Sequence, residues 1–167
     1  RKGAEEGSRY TVDEVHFKYK DGKCIVDQSR WRKDRQTKFA KDTLDHCVFD
    51  MLSSLLQARS FDPTSYKVGD RILFPMATGV KVEEQTLIYR GKEIFKVENG
   101  VKYRCLVFSL VEYDKKGKEK EVITFYVTDA KNHLPVRLDL YLNFGSAKAF
   151  LQTVEGNRHP LTSIITK

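Results

Sequence analysis

The 167-residue chain is poor in the residues that build covalent staples, metal centres and membrane spans. Its three cysteines, Cys24, Cys47 and Cys105, are far apart and form no CxxC pair, which excludes a zinc ribbon and a thioredoxin-like motif. Each lies beside apolar residues, where a free Cys usually acts as a small buried hydrophobe. An oxidising compartment would allow one disulfide, but the sequence does not choose the pair. No apolar run approaches the length needed to cross a bilayer, so no transmembrane segment is expected. The glycines fall singly or in turns, with no loop of the kind that cradles phosphate.

Catalytic constellations are equally scarce. "LDHCVFD" brings Asp45, His46, Cys47 and Asp50 close in sequence. On a helix His46 and Cys47 would point about 100° apart, so they make no nucleophile and base pair. His46 and Asp50 could share a face, but two ligands are too few for zinc. His16, His133 and His159 stand alone. The expectation is therefore a non-enzyme without metal or cofactor.

What is plentiful is strand chemistry and positive charge. Ten Phe and eight Tyr, with Val and Thr, favour strands, and the length suits a single domain over 1–167. Thirty Lys and Arg against 23 acids give a formal charge of +7. The densest basic stretch, from Arg30 to Lys41, contains Arg30, Arg32, Lys33, Arg35 and Lys38 with Trp31 and Phe39 between them. No nucleic-acid module surrounds it, so nucleic acid is not an expected partner. It reads as a solvated basic surface that could meet anionic head groups.

The periodicities give an order of elements. "VHFKYKDGKCIVDQ" predicts a hairpin around Asp21-Gly22. "DHCVFDMLSSLLQARSF" carries Val48, Met51, Leu52, Leu55 and Leu56 at helical spacing, with Asp45 as a plausible N-cap. It predicts one α-helix over about 46–60. Pro75 marks the next strand as an edge or a bend, two strands are expected around Arg90-Gly91-Lys92, and four more follow with turn chemistry between them. The fold expected is mainly β (α+β), a strongly curved antiparallel sheet or open barrel of about 7–9 strands wrapping that helix.

"PVRLDLYLNF" sharpens the question of what the sheet faces. Val136, Leu138, Leu140, Leu142 and Phe144 alternate with Arg137, Asp139, Tyr141 and Asn143. Five apolar side chains at about 1.5–3 kcal/mol each are too much to leave wet. Either Leu138, Leu140 and Leu142 meet Met51, Leu52, Leu55 and Leu56 of the helix as core, or these seven residues line an apolar cavity for a lipid or other apolar ligand. A module that pairs through a sheet edge with a protein partner is the alternative reading.

"ITFYVTDAKNHLPVRLDLYLNFGSAKAFL" resembles the closing signature of domain-of-unknown-function family 3108, and "DMLSSLLQARSFDPTSYKVGDRILFPM" resembles that family's helix and following turn. The likeness is closest to Bacteroides-type members. It implies an exported protein of the periplasm or cell envelope, and it assigns no catalytic residue. It also implies that the chain, which opens at Arg1, is a fragment lacking a signal peptide and an N-terminal strand-rich portion.

Overall fold

The computed structural model describes residues 2–6, 9–142 and 145–165, with side chains described for all of these except 2–6, 9, 55 and 58. The turn expected at Gly145-Ser146 is not there: both residues already belong to the strand Gly145–Phe150, paired with Leu142 and Tyr141, and residues 143 and 144 before them lie outside the described set. Mainly β is correct, but the single curved sheet or open barrel is not. The strands form two antiparallel sheets, one of four strands and one of seven, and each sheet has open ends.

The first sheet has the order β1 (Lys2–Glu6), β2 (Arg9–Lys20), β3 (Lys23–Arg32) and β4 (Arg35–Leu44). Asp21 and Gly22 take φ of 52° and 73° between β2 and β3, the left-handed geometry a two-residue hairpin needs. Alternation along β3 buries Cys24, Val26 and Gln28. Cys24 and Val26 join Val48 and Ala77 in an apolar core, flanked by Val15, Phe17, Leu44 and Val82.

The short helix α1 (Met51–Ala58) stands where a helix over 46–60 was expected, and no sheet wraps it. Its start is displaced because Phe49 is held in a parallel bridge to Met76, its N–H donating to Pro75 O and its carbonyl accepting from Ala77 N. Val48 therefore enters the core from extended chain. Asp50, not Asp45, caps the helix: its Oδ1 accepts from Ser53 N at 2.6 Å while Ser53 Oγ accepts from Asp50 N at 2.7 Å.

The second sheet runs β10 (Gly145–Phe150), β9 (Pro135–Leu142), β8 (Glu119–Thr128), β7 (Lys102–Tyr113), β6 (Val82–Lys96) and β5 (Arg71–Ala77). A short β11 (Ile164–Ile165) pairs with Lys102 and Tyr103 of β7. Arg90-Gly91-Lys92 is not a turn between two strands, because β6 passes through it unbroken. Gly91, at φ 103°, sits at a bulge opposite Val107, so the glycine serves a register shift within one strand.

By compactness the chain divides into two units, Arg1–Ser54 with Phe74–Glu84, and Leu55–Leu73 with Gln85–Lys167. The four-stranded sheet lies in the first unit and β7 to β11 in the second.

Candidate functional site

In the second unit, register places one apolar row across five strands. Leu87 and Tyr89 of β6 stand opposite Leu110 and Phe108 of β7, which stand opposite Ile123 and Phe125 of β8. Those in turn face Leu140 and Leu138 of β9, which face Ala147 and Ala149 of β10. The row is dry at one end: its six residues on β6, β7 and β8 are no more than 5% exposed. Phe61 stacks on Phe108 there with ring centroids 5.0 Å apart. The cover stops at β9. Leu138 and Leu140 are half-buried, Leu142 is 46% exposed, and Gly145, Ala147 and Ala149 are exposed.

The apolar stripe of the helix is itself largely exposed. Leu52 and Leu56 are 72% and 63% exposed, Met51 is half-buried, and the Leu55 side chain lies outside the described residues. Val136 also leaves the expected row. A register shift between Tyr126 and Val127 places it in a cluster with Val97, Tyr103 and Cys105.

The other face of β9, which reads as polar and wet, is covered at Arg137 and Asp139, while Tyr141 at its far end is exposed. Arg137 forms a two-pronged pair with Asp139, Nε to Oδ1 at 2.6 Å, and Asp139 is only 3% exposed. The Arg137 guanidinium lies 4.7, 5.0 and 5.8 Å from the rings of Phe95, Tyr126 and Phe150. Its hydrogen bond to Asp139 raises its affinity for the proton, against a burial effect that lowers it. Nearby in sequence register, Ser109 Oγ donates to Glu121 at 2.7 Å, and Arg90 reaches Ser109 at 3.1 Å and Glu119 at 2.5 Å. Sequence reasoning missed both polar groups. The available signal was aromatic: Tyr126 and Phe150 occupy the positions directly beside Arg137.

A shallow open depression of about 530 Å³ in the same unit gathers Asp62, Asp129, Lys131, His133 and His159. His133 Nδ1 donates to Arg59 O at 2.7 Å, and Asn132 is locked to the His159 backbone by bonds of 2.6 and 3.0 Å. The Thr64 hydroxyl and amide hold the Asp62 carboxyl below the usual carboxylate range. Lys92 pairs with Asp129 at 3.0 Å. Most of these polar groups are thus committed to the loops they shape. Among the described residues no set of three His, Cys, Asp or Glu is placed to hold a metal ion.

In the first unit the basic stretch occupies the β3–β4 hairpin end. Arg30 faces Lys38 and Arg32 faces Arg35 across the ladder, while Lys33 lies in the turn. Arg30 is tied down: Nε donates to Asp13 Oδ1 at 2.6 Å, and its terminal nitrogen donates to Asp13 Oδ2 and Thr78 O, each at 2.9 Å. The bond to Asp13 raises its affinity for the proton.

Against known proteins, the profile of a family described as protein of unknown function, DUF3108, matches residues 1–152, and the chain belongs to that family. No curated protein and no solved structure matches it. Among the described residues no helix is long and apolar enough to cross a membrane.

Proposed function

We propose that this chain is the ligand-holding part of a non-enzymatic, exported envelope protein of the periplasm, and that it lays a single acyl chain along the uncovered end of the apolar row. The observation that carries this reading is the abrupt loss of cover at β9. Ile123 and Phe125 are dry, whereas Leu138, Leu140 and Leu142 beside them are not. Gly145, Ala147 and Ala149 stand directly opposite those leucines, so the row ends in a floor with almost no side chains. Neighbouring strands lie about 4.8 Å apart and alternate residues on one face about 6.8 Å apart. The floor is therefore about 14 Å long and one hydrocarbon chain wide. The envelope setting rests on the sequence resemblance alone.

The test is binding of an environment-sensitive fluorescent fatty acid, read as saturable enhancement and displacement by unlabelled palmitate. Ala149→Glu, at an exposed position, is expected to abolish binding and leave the far-UV spectrum unchanged. Absence of saturable binding, or undiminished binding by Ala149→Glu, sinks the proposal.

A second reading is favoured by a different observation: the outer backbone edge of β10 has no paired strand among the described residues, and Lys148 is its one charged side chain. An unpaired edge is a template for strand addition by a protein partner. That reading predicts a complex that forms without lipid and is lost when Ala147 is replaced by Pro.

A further inference from the structure

We propose that the cavity at the β3–β4 hairpin end binds a tetrahedral oxyanion, the phosphate group of a free phosphate or of a lipid head group. The proposal does not depend on the acyl-chain reading. The cavity measures about 60 Å³ and is lined by Arg30, Arg32, Arg35, Gln36, Lys38 and Val80. That is several times the roughly 10–15 Å³ a single water requires, and far below the roughly 300 Å³ at which pockets enclose whole ligands. It suits one small polyatomic group.

Three observations point to an anion. First, Arg32 Nε is buried without a hydrogen-bond partner. An orphaned donor on a charged group is costly, and a phosphate oxygen would satisfy it. Second, Arg32 and Arg35, and Arg30 and Lys38, stand directly opposite each other on the ladder. Like charges in such pairs repel unless a counter-charge lies between them. Third, the one carboxylate paired with the group, Asp13, is spent on Arg30. Among the described residues no ion pair of Arg32, Arg35 or Lys38 with a carboxylate is seen, which leaves three uncompensated cations around a small, partly open space. Guanidinium forks match phosphate oxygens in planar geometry, so arginine suits this task better than lysine.

The cavity wall is also prepared from behind. Arg30 is fixed by Asp13 and Thr78 O, and Gly79 N donates to the buried Gln28 Oε1 at 2.9 Å. The ligand would therefore meet a partly pre-ordered wall, which lowers the ordering cost of binding.

The experiment is a titration of the whole chain with inorganic phosphate at constant ionic strength, followed by the arginine Nε–H resonances in nitrogen-15 spectra. The Arg32 signal is expected to shift saturably, and sodium chloride at the same ionic strength is expected not to reproduce it. Arg32→Gln and, at a more exposed position, Arg35→Gln should each weaken binding about tenfold or more, as loss of a bond to a charged group implies. Lys148→Gln, on β10, should not. A second arm uses phosphatidylcholine vesicles with about 20% phosphatidic acid, where anionic head groups attract basic patches. Vesicle binding that phosphate displaces and Arg35→Gln removes assigns the site to a lipid head group. Phosphate binding without vesicle binding assigns it to a free phosphate. No saturable shift, an equal response to chloride, or undiminished binding by both variants overturns the proposal. Binding of single-stranded oligonucleotide that phosphate fails to displace overturns it too, since the hairpin would then be an extended nucleic-acid surface.

Discussion

Replacing Arg137 by Ala is expected to destabilise the chain far more than removing any surface cation, because of what it leaves behind. Asp139 is 4% exposed at its side chain and Arg137 17%. Truncating one member of a buried pair strands the other charge, at a cost of about 3–5 kcal/mol. Contact with the rings of Phe95, Tyr126 and Phe150 adds about 0.5–2 kcal/mol. The contrasting case is Lys41, whose partner Asp27 also lies near Lys18, with side chains 68%, 34% and 71% exposed. Lys41→Ala should cost no more than about 1 kcal/mol. Urea unfolding followed by far-UV circular dichroism compares the two through the midpoint, with an unchanged slope. The double variant Arg137→Met with Asp139→Leu removes the stranded charge and should recover most of the loss. If Arg137→Ala costs under about 1 kcal/mol, or the double variant is as unstable as the single one, the pair is not the buried unit described above.

Asp50→Ala should cost about 1 kcal/mol through the lost cap of α1, read as a urea midpoint shift. Burial pushes the Asp50 carboxyl up, but bonds from the Ser53 amide and hydroxyl and from the Leu52 amide outweigh it and hold its pKa below the usual range. A carboxyl depressed in the folded state stabilises above its unfolded pKa and loses that contribution as pH falls through the folded value. The difference between wild type and Asp50→Asn should accordingly shrink on acidification. Cys47 is exposed while Cys24 and Cys105 are buried, and burial, with Glu93 and Asp129 adding to it, pushes the Cys105 thiol up to about 12. A thiol-reactive dye should therefore label one cysteine rapidly in the folded chain and all three in urea; rapid labelling of Cys105 would contradict its burial. Gly79→Ala should lower stability by about 1–3 kcal/mol in thermal unfolding, since φ is 97° and a Cβ would lie 2.7 Å from Asp13 Cγ. An unchanged midpoint would mean that Asp13 yields freely.

The hairpin at Asp21-Gly22 and the strands from Lys102 onward were legible because turn residues and period-two alternation are local signals. The helix was legible only in part. Helical spacing at Val48, Met51, Leu52 and Leu56 cannot report that Phe49 is held in a backbone bridge with Met76, a partner 27 positions away. That tie removes the first turn and sends Val48 to a core that the remaining leucines do not share. Arg90-Gly91-Lys92 misled for a related reason, because a glycine at positive φ serves a bulge as readily as a turn.

The alternation at β9 carries the more general point. A strand with apolar and charged residues in strict turn is ordinarily read as one dry face and one wet face. Here the charged face is the drier where it matters: Asp139 is 3% exposed, while Leu142 is 46% exposed. The inversion has a physical cause that hydropathy cannot register. A guanidinium held by two bonds to a carboxylate and flanked by three rings has its charge met, so it can be largely buried. The leucines on the other face have only alanine and glycine beside them on β10, and nothing that strand places on their side is large enough to cover them. Cover at a sheet edge is thus decided by the neighbouring strand's side-chain volume, not by the hydrophobicity of the strand itself. It follows that filling the floor, as in Ala147→Leu with Ala149→Leu, should stabilise the chain by burying Leu138 and Leu140 while eliminating the space the proposed acyl chain occupies. A natural sequence that keeps these positions small forgoes about 1 kcal/mol or more of available burial, which is the trade expected where a surface is held open for a ligand.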